Sequence, residues 1–123
     1  MATRALIKIE DSELKDIAVY KHFDGYPEAT LPWLEYFHKK FLDNRGWDPQ
    51  YEFAQLLRSS AWDAAKFNLD NSKETGWGVV NTAVAGNLSA EYLYILKKTG
   101  IEIKYFNWDA GEFVTKEEIE WTR

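Results

Sequence analysis

The segment Asp24-Gly25-Tyr26-Pro27 places the strongest constraint on how this chain folds, because it ends a strand and forces a change of element. Gly25 permits a sharp turn, whereas Pro27 has no N–H to give a strand ladder and cannot sit in a continuing central strand. Before it lie two β-rich runs, 5–9 and 17–23, separated by the polar stretch 10–16, and together they predict a β-hairpin. After it, Leu31, Leu34, Phe37, His38, Phe41 and Leu42 recur with a helical period, with Thr30 as N-cap and Pro32 in the first turn.

Asn44-Arg45-Gly46 ends that helix, glycine supplying the left-handed residue beyond the last turn. Asp48-Pro49 then opens a second one, with the apolar stripe Phe53, Leu56, Leu57, Ala61, Ala64, Ala65 and Phe67. Past a polar loop, 77–82 reads as a strand and 83–89, with Gly86-Asn87, as a turn or loop. Two further strands, 90–96 and 101–106, are joined by Lys97-Lys98-Thr99-Gly100 as a hairpin. In the second of them Ile101, Ile103 and Tyr105 share one face while Glu102 and Lys104 share the other, the alternation of a sheet with one wet side. Thr115-Lys116-Glu117-Glu118 has capping-box spacing, so the C-terminal segment reads as either a short helix or an edge strand. The expected architecture is α+β: an antiparallel sheet of about five strands, in the order ββααβββ, with two helices packed on one face.

A chain of 123 residues matches one domain, 1–123, with a single core. Six Trp, seven Tyr and seven Phe exceed what such a core absorbs, so some aromatic surface must be exposed. Exposed aromatics mark an interface or a ligand site, and a homo-oligomer is the simplest form of that. A net charge of −5 without a basic run leaves no electrostatic footprint for nucleic acid. The absence of cysteine excludes disulfides, thiolate nucleophiles and Cys-built zinc sites. No apolar run approaches a signal-peptide core or a membrane span, so the expectation is a cytoplasmic protein without membrane contact.

Phosphate-loop, zinc-protease, nucleophile-elbow and dinucleotide-binding motifs are all missing, and no cofactor or catalytic set is expected. The residues that invite chemistry cluster at the corner. His22 and Asp24 stand two apart, so in an extended strand both would project from one face, as a general base pair or as two metal ligands. A metal needs at least one more ligand, and the only other histidine is His38, with Glu35 and Asp43 nearby in sequence. The structural alternative is an Asx-turn in which Asp24 satisfies the N–H groups of its own turn. Ligand binding without catalysis is the third reading: Gly25 allows close backbone approach, Tyr26 offers a stacking face, and the helix N-terminus beyond favours anions. Trp77, between Gly76 and Gly78, is a further stacking or anchoring candidate. The candidate ligand-binding set is thus His22, Asp24, Gly25, Tyr26 and Trp77, with no metal site assigned. The expected function is a non-enzymatic module that recognises a small anionic ligand or a host protein, the alternative being a metal-dependent or acid–base hydrolase using His22 and Asp24.

The run Tyr20-Lys21-His22-Phe23-Asp24-Gly25-Tyr26-Pro27-Glu28 resembles a motif, Tyr-Arg-His-Trp-Asp-Gly-Tyr-Pro-Glu, carried by a group of small uncharacterised proteins from phages, prophages and archaea. Glu91-Tyr92-Leu93-Tyr94 is similar to a later Glu-Tyr-Arg-Tyr strand of that group, with Leu93 where arginine is usual. The resemblance implies a small accessory protein of mobile elements and transfers no activity.

Overall fold

The computed structural model describes residues 3–65, 76–86 and 88–121. The first β-rich run forms β1 (Ala5–Ile9) and the second forms β2 (Ile17–Lys21), paired antiparallel with Ala5 opposite Lys21. A 3₁₀ turn over Ser12–Leu14 lies between them, its start held by the Asp11 side chain, which accepts from the Glu13 N–H.

Helix α1 (Pro27–Arg45) begins earlier than the apolar period suggests. Pro27 sits in its first turn, where a missing N–H costs nothing. Thr30 is therefore inside the helix rather than its cap, and its hydroxyl donates to the Asp24 carbonyl at 2.7 Å. Gly46 ends the helix with φ +86°, its N–H donating to the Leu42 carbonyl. Helix α2 (Pro49–Ala65) follows, and the Asp48 carboxylate accepts from the Tyr51 N–H at its start.

Strand β3 (Trp77–Asn81) pairs antiparallel with β2, and a single helical turn, α3 (Thr82–Ala85), follows where a turn or loop was expected. Strands β4 (Tyr92–Lys97) and β5 (Gly100–Asn107) form the expected hairpin. The C-terminal segment is a strand, β6 (Glu112–Glu120), paired along β5 with a register shift at Ile103/Lys104. Thr115 does not cap a helix, because its hydroxyl donates across the ladder to the Glu102 carboxylate at 2.5 Å.

The sheet has six strands in the order β3-β2-β1-β4-β5-β6, and it is mixed. The expectation of an all-antiparallel sheet of five is corrected at β1 and β4, which run parallel with Ala5 opposite Tyr92. The cause is topological. β3 is antiparallel to β2 and hence runs with β1, so the chain must cross back before β4 can start beside Ala5.

The two long helices cover one face, where Leu34 and Leu56 bury against Ala5, Ile7, Ile9, Val19, Tyr94, Leu96, Ile101 and Ile103. On the other face Leu6, Ala18, Ala90 and Leu93 make a smaller cluster flanked by Tyr20, Val80, Ile95 and Phe113. Strand β1 contributes to both, as a central strand with two covered faces should. No helix among the described residues is long and apolar enough to cross a membrane.

Candidate functional site

The backbone of the corner after β2 is held by hydrogen bonds to three other parts of the chain. The His22 N–H donates to the Gly76 carbonyl at 2.7 Å, ahead of β3, and the Gly25 N–H donates to the Thr3 carbonyl at 2.8 Å, ahead of β1. The Tyr94 hydroxyl, from β4, donates to the Gly25 carbonyl at 2.6 Å. Burial pushes the Tyr94 phenol well above its ordinary range, against a smaller opposing effect of Thr30, so the group stays an O–H donor at any ordinary pH.

Gly25 is buried, and a Cβ there would stand 2.7 Å from the Ala5 Cβ and 2.8 Å from the Thr3 carbonyl oxygen. The close approach that demands glycine is thus to the start of β1. Asp24 has φ +54°, in the left-handed region. Strand β2 stops at Lys21, so the period-two alternation expected of His22 and Asp24 does not extend across the corner.

Around this fixed backbone the side chains face outward. Phe23 is 49% exposed and Tyr26 38%, and Asp24 and Glu28 are exposed beside them. His22 is half-buried, its Nδ1 hydrogen-bonded to the Tyr20 hydroxyl at 2.7 Å and its ring edge-on to Phe23, 4.6 Å between centroids. Phe23 lies over Gly76, where an added Cβ would meet its ring at 2.7 Å.

Trp77 stands opposite Lys21 in the β2–β3 ladder, under the Lys21 ammonium at 4.7 Å and edge-on to Trp33 at 5.8 Å. It packs with the helix-covered core, whereas Tyr20, the partner of His22, belongs to the cluster on the opposite face. Of the five candidates, His22, Asp24 and Tyr26 therefore share the corner surface, Gly25 lies beneath it, and Trp77 faces the other side of the sheet.

His38 is fully buried, with Nδ1 at 2.5 Å from Glu52 Oε2 and Nε2 at 2.6 Å from the Lys97 carbonyl oxygen. Both ring nitrogens are engaged in the interior. The sequence reading passed over Glu52, yet its signal was present: position 52 lies four before Leu56 on the core-facing stripe of α2, as His38 lies four after Leu34 on α1. Among the described residues no group of three or more His, Asp or Glu is arranged to hold a metal ion.

Two surface features lie away from the corner. Lys97 Nζ reaches Glu102 at 2.9 Å, Glu118 at 3.3 Å and Glu10 at 3.9 Å. At the β5–β6 turn, Trp108 is 68% exposed and packs edge-on against Phe106, which also meets Phe113. Comparison with protein-family models, with curated proteins and with solved structures finds no match.

Proposed function

We propose that this chain is a non-enzymatic binding module that engages another protein through the corner from His22 to Glu28. The observation that carries the reading is a fixed backbone beneath exposed side chains: hydrogen bonds to Gly76, Thr3, Tyr94 and Thr30 clamp residues 22–25, while Phe23, Asp24 and Tyr26 are exposed. Rigid aromatics flanking a charge make efficient anchors, because little side-chain freedom remains to be lost on binding. Of the two ligand classes expected from the sequence, a protein fits the corner better than a small anion. The Asp24 and Glu28 carboxylates lie at the start of α1, and Pro27 has no N–H to offer an anion there.

A small accessory protein of the mobile-element kind, which the resemblance of residues 20–28 implies, would use such a surface on a host protein. The test is capture of partners from a host lysate by the wild-type chain and by Asp24→Ala/Tyr26→Ala, with Trp108→Ala as a control at the β5–β6 turn. A partner kept by Trp108→Ala and lost by the double variant supports the corner. Equal capture by all three chains removes it. Sedimentation at rising concentration then separates a host protein from a second copy: self-association abolished by Tyr26→Ala would make the partner another molecule of this chain.

A further inference from the structure

Between the helix pair and the sheet lies a polar cluster that the corner does not use: His38 of α1, Glu52 of α2 and Trp121, one residue past β6. The Lys97 carbonyl can only accept, so His38 Nε2 carries a hydrogen, and one further proton occupies the bond between Nδ1 and Glu52 Oε2. The pair is neutral overall whichever partner holds that proton. Its other atoms are less well served. Glu52 Oε1 and the indole Nε1 of Trp121 are both buried without a hydrogen-bond partner among the described residues.

These two atoms are complementary in kind, one an acceptor and the other a donor, and both belong to side chains that abut the same imidazole. Glu52 is hydrogen-bonded to it, and the Trp121 ring lies 5.2 Å from it between centroids, with Trp47 on the ring as well at 6.4 Å. Buried polar atoms are almost always partnered, by protein or by ordered water.

We infer that Glu52 and Trp121 hold one internal water molecule beside His38, accepting from the Trp121 indole N–H and donating to Glu52 Oε1. The required guest must both accept and donate. A halide has no hydrogen for the carboxylate, an oxyanion would set its own negative charge against it, and a metal or ammonium ion has no lone pair for the indole. Water meets both demands in the smallest volume. The site also ties the end of β6 to α2 through one molecule, and Glu52 carries the link on to His38 of α1. This is independent of the corner, and no property of the proposed partner enters it.

The test is a high-resolution crystal structure of the whole chain, together with nuclear magnetic resonance on nitrogen-labelled protein. The expected result is a solvent peak within about 2.7–3.2 Å of both Glu52 Oε1 and Trp121 Nε1. In solution the Trp121 indole N–H, identified by the signal that Trp121→Phe removes, should show a cross-peak to a long-lived water. The Trp121→Phe crystal should keep the His38–Glu52 bond and lose the peak. A direct indole-to-carboxylate hydrogen bond, no peak touching both atoms, or a peak unchanged in Trp121→Phe would each overturn the inference. If that variant does not fold, the wild-type crystal alone decides by the same two distances.

Discussion

Asp24 and Gly25 are neighbours with opposite backbone requirements. Gly25 needs its missing Cβ because β1 lies against it, and Asp24 is an L-residue in a left-handed conformation. Gly25→Ala should therefore cost about 1–3 kcal/mol through overpacking, read as a lower midpoint in urea unfolding. Asp24→Gly should change stability by less than about 0.5 kcal/mol, because relief of left-handed strain offsets the extra freedom of the unfolded chain. The same substitution removes the exposed carboxylate and should weaken partner capture, so it separates binding from folding. Tyr94→Phe deletes the donor to the Gly25 carbonyl and leaves a buried acceptor unpaired, at about 1–3 kcal/mol in the same assay. The corner's position as a stop between strand and helix was legible from Gly25 and Pro27, which act locally. Which neighbour made Gly25 necessary was not, since Ala5 and Thr3 lie some twenty residues earlier in the chain.

The long helices are joined to each other and to β4 by His38, which bonds Glu52 on α2 and the Lys97 carbonyl at the end of β4. Glu52→Ala would leave that imidazole facing an empty, buried position, and removal of one member of such a pair costs about 3–5 kcal/mol. Thermal unfolding should show a large drop in Tm. On the sheet, Gly100 opens β5 opposite Glu120 of β6, and a Cβ there would overlap the Ile119 carbonyl. Gly100→Ala should loosen the end of β6, seen as faster amide hydrogen exchange over residues 117–120 with β1 and β4 still protected. Both long helices could be read from sequence because their apolar stripes repeat locally. The C-terminal segment could not, because Thr115-Lys116-Glu117-Glu118 satisfies a helix-start pattern equally well. Its hydroxyl chooses Glu102 only when β5 is alongside.

At the scale of the whole molecule, stability should depend on pH through the group formed by Lys97, Glu102 and Thr115. Burial alone would push the Glu102 carboxyl up, but the Thr115 hydroxyl and the Lys97 and Lys104 ammonium groups together hold it below its ordinary value. A carboxyl depressed in the folded state contributes stability above the unfolded value of about 4.3, and that contribution is lost as pH falls through the lower folded value. The hydrogen bond to Glu102 raises Lys97 in turn, despite some opposing burial, so its share is present at neutral pH and is lost only in strong alkali. Urea midpoints measured from neutral pH downward should fall across the acidic range in the wild type, and fall less in Lys97→Met. Within the chain itself, local chemistry was enough to set the strand stop at Gly25-Tyr26-Pro27 and the helix pair, since a missing N–H, a missing Cβ and a repeat of apolar positions act over a few residues. The wet face expected of β5 is corrected: Glu102 is buried and Tyr105 is exposed. Tertiary structure alone decided that β1 pairs in parallel with β4, that the last segment is a sixth strand, and that His38 meets Glu52. Each of those depends on which distant partner completes a ladder or a buried hydrogen bond, and only the assembled fold brings that partner within reach.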